Sequence, residues 1–115
     1  MVRKANATCY KKIKKHYPKS SILVISPGDL GEKKGRNIVT HPGIKKFVKA
    51  QARIAEKGNV AFWNMYEAMG GENSIESWVE ASPPLAFKDF CHLTPKGGKT
   101  IAEKLTAALM KAKSK

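Results

Sequence analysis

Asp89-Phe90-Cys91-His92 places a carboxylate and an imidazole three residues apart, directly ahead of Leu93-Thr94-Pro95. A carboxylate that accepts the Nδ1–H of an imidazole fixes its tautomer and stabilises the imidazolium. Nε2 is then left to take a proton from a nucleophile. At this spacing the two side chains converge only where the chain bends, so the pair belongs in a loop. The pattern also arises by chance, and an Asp near a helix start often serves only as a cap.

The elements that must hold the pair can be read along the chain. Thr94 is placed as N-cap and Pro95 as first residue of a helix running to about Lys111, with Ile101, Leu105, Ala108 and Leu109 on its buried face. Near the start, Cys9, Ile13 and Tyr17 make a narrow apolar stripe on a lysine-covered helix from Asn6 to Tyr17, ended by Pro18. Ser21 to Ile25 is a β-branched apolar run of the kind buried on both faces in a parallel sheet. Residues 26 to 42 read as a long polar loop of the type that frames a site. Gly43 to Lys57 carries apolar residues at helical spacing and stops at Gly58, and Val60-Ala61-Phe62 begins a second strand. Residues 21 to 63 thus form a strand, helix, strand unit, the mark of α/β architecture. Short helical segments follow at Met65 to Met69 and Ser74 to Glu80, then an irregular Pro83-Pro84 stretch. Two parallel strands expose both sheet edges, which makes a poor core.

The pair has few competitors for chemistry. Ser20, Ser21, Ser26, Ser74, Ser77, Ser82 and Ser114 lack the context of a nucleophile elbow. Pro27-Gly28-Asp29-Leu30 imitates a nucleophile block, but a leucine cannot attack an acyl carbon, so it reads as a turn at a strand end. His41 reads as a loop histidine ahead of a helix, His16 as a solvated residue near a helix end, and Trp63 and Trp78 as packing residues. Cys9 and Cys91 fit neither a metal pair nor a redox motif and read as partly buried thiols. Histidine spacing gives no metal site, and no cofactor is expected.

Taken in order, Phe62 to Gly71, Trp78, Pro83-Pro84-Leu85-Ala86 and Asp89 to Gly98 resemble the C-terminal part of an SGNH/GDSL-type esterase. Tyr17-Pro18 into Ser21 to Asp29 is similar to that family's penultimate helix-to-strand step. The likeness covers about residues 8 to 112. It implies a flavodoxin-like three-layer α/β/α fold, of which this chain holds about two parallel strands and three to four helices. It also implies His92 as base and Asp89 as its orienter. The family's Gly-Asp-Ser nucleophile block and Gly-x-Asn-Asp oxyanion block do not occur here. Residues 1–115 are then expected to be one incomplete domain, inactive alone. It would be a fragment in preference to a split enzyme or a binding remnant, and would contribute the Asp-His half of a triad acting on small acyl esters, such as carbohydrate acetyl groups. Its partners would be that ester and a missing N-terminal half-domain.

Charge supports a different class of function. The 115 residues carry 22 Lys+Arg against 9 Asp+Glu, a net +13, and residues 1 to 20 hold seven basic groups and no acid. Such a surface attracts polyanions, so a small basic protein binding nucleic acid or another polyanion is the alternative. Specific nucleic-acid reading is disfavoured, because Phe62, Trp63, Tyr66 and Trp78 fall in the net-acidic stretch 51 to 90. No apolar run suits a bilayer span or an export signal, so the chain reads as soluble and untargeted as written; relatives of this type are often exported, and the compartment stays unassigned.

Overall fold

The computed structural model describes residues 2–113. In chain order the elements are α1 (Val2–His16), β1 (Leu23–Ile25), β2 (Gly31–Lys34), β3 (Asn37–Thr40), α2 (Pro42–Lys57), β4 (Ala61–Trp63), α3 (Met65–Met69), α4 (Ser74–Glu80) and α5 (Pro95–Lys113). The α/β class is borne out. β1 and β4 pair in parallel with Leu23 opposite Ala61 and Ile25 opposite Trp63, and α2 lies between them in sequence. Among the described residues there are five helices where three to four were expected, and the short helical segments read at Met65 to Met69 and Ser74 to Glu80 are both present.

Residues 26 to 42 are not a plain loop. They contain an antiparallel hairpin, β2 with β3, whose register sets Gly31 opposite Thr40 and Lys34 opposite Asn37. Gly35 has φ 65° at the first position of its two-residue turn, a conformation glycine enters without steric cost. Two bonds tie the hairpin base to α4: the Thr40 amide donates to Asn73 Oδ1 at 2.9 Å, and the Asn73 amide donates to Thr40 Oγ1 at 2.7 Å.

Other joints are local. His41 caps α2, its Nδ1 accepting from the Gly43 amide at 3.0 Å. At the far end Gly58 stays right-handed and Asn59 takes the positive φ of 53°. The Lys14 ammonium donates to the carbonyls of Gly58 (2.7 Å) and Asn59 (3.0 Å), meeting the negative end of α2 and seating α1 against it. The buried Ser26 hydroxyl accepts from the Met65 amide at 2.9 Å and joins the end of β1 to the start of α3.

Val48, Ile54 and Ala55 are buried on α2, which packs against β4 and α1, and a second buried group lies beyond the sheet. Met69, Ile75, Trp78 and Ala86 form a buried cluster, flanked by Phe90, Leu93 and Ile101. The Trp78 indole N–H donates to the Met69 carbonyl at 2.8 Å. β1, expected to be buried on both faces, leaves Leu23 36% and Ile25 44% exposed. Leu109, expected on a buried helix face, is 50% exposed, and Cys9 and Cys91 are exposed free thiols. For the strand and helix residues, sequence pattern marks an apolar face that nothing among the described residues covers. The accessible surface is 8250 Å², where about 6,200 Å² is usual for a folded chain of this mass. The radius of gyration is 15.8 Å, against about 13 Å for a compact domain of this length.

One close approach governs the start of α5. A Cβ on Gly97 would run into the Leu85 carbonyl, whereas one on Gly98 meets nothing within 4 Å. Alanine at an interior helix position gains about 0.5–1 kcal/mol over glycine, and an overlap with backbone costs more than that. Urea denaturation is therefore expected to show Gly98→Ala stabilising by about 0.5–1 kcal/mol. Gly97→Ala is expected to destabilise by about 3 kcal/mol or to prevent folding.

Candidate active site

The loop that carries Asp89 and His92 is closed by backbone bonds on both sides. Ala86 and Leu93 form an antiparallel bridge, the Phe87 amide donates to the His92 carbonyl at 2.8 Å, and the Thr94 amide donates to the Leu85 carbonyl at 3.0 Å. Thr94 caps α5 as expected: its Oγ1 accepts from the Gly97 amide at 3.1 Å while its hydroxyl donates to the Pro84 carbonyl at 2.7 Å. Between these ties the chain turns at Phe90, which takes a left-handed φ of 56°.

That turn brings the two side chains together. His92 Nδ1 lies 2.6 Å from Asp89 Oδ2, and Asp89 Oδ1 accepts the amides of Cys91 and His92, each at 3.0 Å. The carboxylate thus acts both as a cap for the turn and as a partner for the imidazole. The hydrogen bond from the His92 ring, then the His92 and Cys91 amides, hold the Asp89 carboxyl down to about 2 from the usual 3.8. An ionised carboxylate cannot donate, so the shared proton sits on Nδ1 and a neutral ring presents a bare lone pair at Nε2. Both side chains are exposed, His92 by 76% and Asp89 by 48%, which leaves Nε2 open to a reacting group.

The remaining residues singled out in the sequence lie elsewhere. His41 is engaged as the α2 cap and sits 3.5 Å from Glu32. His16 is exposed in the last turn of α1. Trp78 is a core residue, as expected. Among the described residues no hydroxyl is hydrogen-bonded to the His92 ring, and Ser26 and Ser74 are buried. Asp29 is more than a turn residue. It is 3% exposed, and its Oδ2 accepts the Ile75 amide at 2.9 Å. No local signal could have found this contact, because the partner lies 46 residues away.

The arrangement of a parallel strand, helix, strand unit followed by further helices matches a fragment of an esterase fold. A solved structure described as a peptidoglycan O-acetylesterase in action superimposes on this chain with a TM-score of 0.86 and 27% identity. The match covers 96% of this chain and 31% of the other, so the chain spans about a third of the length of that structure. No family model and no curated protein matches the chain.

The lowered carboxyl gives a pH dependence with a definite sign. A group whose folded value is depressed contributes stability that is present above its unfolded value and is lost as pH falls through the folded one. Stability from Asp89 is therefore expected to be complete above pH 3.8 and to disappear on acidification toward about 2. Thermal melts of the wild type and Asp89→Asn should converge across that window and stay separated above it.

Proposed function

We propose that this chain is the C-terminal part of an SGNH-type serine esterase that removes small acyl groups, foremost O-acetyl groups on carbohydrate. In this reading Asp89 orients His92, and His92 acts as the general base. The observation that carries it is the 2.6 Å contact between His92 Nδ1 and Asp89 Oδ2, in a loop whose surroundings match an O-acetylesterase with a TM-score of 0.86.

The uncovered edge supports an incomplete domain. In the parallel pair, Ile22 O and Ser26 N bond to β4, so the intervening Leu23 and Ile25 direct their amides and carbonyls to the opposite edge. Those two residues also expose their side chains, as does Phe47 on α2, which is 43% exposed. A further parallel strand with its helices would cover them, and the half-domain that supplies it would bring the nucleophilic serine and the oxyanion donors.

The reaction then follows from the dyad. Nε2 takes the proton of the serine hydroxyl as its oxygen bonds to the ester carbonyl carbon. The imidazolium, stabilised by Asp89, returns that proton to the sugar oxygen as the carbon–oxygen bond breaks. Water next attacks the acyl-serine, giving its proton to Nε2. The carboxylic acid leaves as the serine recovers its hydrogen.

Two measurements test this. Treated alone with a fluorophosphonate, the chain is expected to gain no mass. A chimera in which it replaces the matched 31% of the solved O-acetylesterase is expected to hydrolyse p-nitrophenyl acetate, and His92→Ala to lower kcat by about a thousandfold or more. A single His92-dependent adduct on the chain alone would sink the half-domain reading. A folded chimera indifferent to His92→Ala would sink the assignment of the base.

A further inference from the structure

Asp29 is a buried carboxylate that the proposed chemistry does not use. Keeping such a group out of water is costly unless hydrogen bonds compensate it. Its Oδ2 has the Ile75 amide, while Oδ1 has no partner among the described residues. The bond it makes is unusual in origin. The N-cap of α4, Asn73, makes no side-chain capping bond; its Oδ1 takes the Thr40 amide. The first turn of α4 is met from Asp29, so the chain is fastened to α4 at both ends of the hairpin base, by Asp29 on one side and Thr40 on the other.

Two residues beyond Asp29 the Gly31 amide donates to the Phe90 carbonyl at 2.8 Å. Phe90 is the left-handed residue between Asp89 and His92, and a non-glycine residue keeps that conformation only when its surroundings hold it there. There is no slack in the contact. A Cβ on Gly31 would fall 2.8 Å from Phe90 Cβ, 2.8 Å from Ile38 Cγ2 and 3.0 Å from Ile75 Cγ2. A shift of the 29–31 backbone is therefore passed to Phe90.

We infer that Asp29 is a positioning residue for the Asp89–His92 pair: anchored on the Ile75 amide, it holds Gly31 where its amide supports the Phe90 carbonyl and fixes the turn between carboxylate and imidazole. The inference rests on the reading of that pair as the base and its orienter, and it reaches the imidazole through backbone alone.

The test reads the His92 ring. Two-bond proton–nitrogen spectra at mildly alkaline pH report which ring nitrogen carries the proton, and thermal melts on the same samples report folding. The wild type and Asp29→Asn, whose amide oxygen still accepts from Ile75, are expected to show the proton on Nδ1. Asp29→Ala is expected to give a mixture of tautomers, together with loss of hydrogen-exchange protection at the Gly31 amide. A cooperatively folded Asp29→Ala with the proton still wholly on Nδ1 would overturn the inference and leave Asp29 as a stabiliser of α4. Should Asp29→Ala not fold, Asp29→Glu decides, since its longer arm keeps an acceptor but displaces the backbone: a mixed tautomer supports positioning and an unchanged one refutes it. A wild-type ring without the Nδ1 proton would instead overturn the dyad reading, and with it this inference.

Discussion

The approach of α5 to the backbone of Leu85 is the constraint on which the site depends. Gly97 has no room for a side chain there, and Thr94, three residues earlier, bonds to Pro84 and Leu85 through both hydroxyl and amide. With these ends held and Phe87 bonded back to His92, the residues between them must turn within one short loop. The turn exposes two amides, and the Asp89 carboxylate meets both. The geometry of the carboxylate and imidazole is thus a consequence of closing a backbone loop against the first turn of a helix.

Packing is distributed to suit that arrangement. The buried cluster of Met69, Ile75, Trp78 and Ala86 lies under the loop, with Phe90 and Leu93 packed against it. A left-handed residue such as Phe90 persists only where its surroundings over-determine it, and here it packs against a buried cluster. The parallel β1–β4 pair is the weak part, with apolar side chains of β1 open to water. Surface charge adds little to either region. Lys45–Glu72, at 2.7 Å, joins two exposed side chains, and water and salt screen such a pair so that it adds little to stability.

Much of this was legible where the governing interaction is local. The Thr94-Pro95 start of α5, the periodicity of α2, and the two short apolar strands follow from contacts between residues a few positions apart. The hairpin was not legible, because Gly31-Glu32-Lys33-Lys34 has no apolar alternation; pairing comes from Asn37 to Thr40, and its seat comes from Asn73. Exposure was misjudged for both cysteines because their residue type is usually buried, and for Leu23, Ile25 and Leu109 for one reason. Spacing reveals which face is apolar but says nothing about whether another layer covers it.

By itself the sequence determined the carboxylate and imidazole, their spacing, the loop that holds them and the helix that follows. Only the tertiary structure decided that Asp89 Oδ2 meets Nδ1 of His92, which leaves Nε2 as the free nitrogen, and that the turn between them leans on Gly31 and Asp29. The first is a contact between near neighbours that forms only because the loop is closed between Ala86 and Leu93; the bonds from Gly31 to Phe90 and from Ile75 to Asp29 join residues tens of positions apart and depend on how the chain closes on itself.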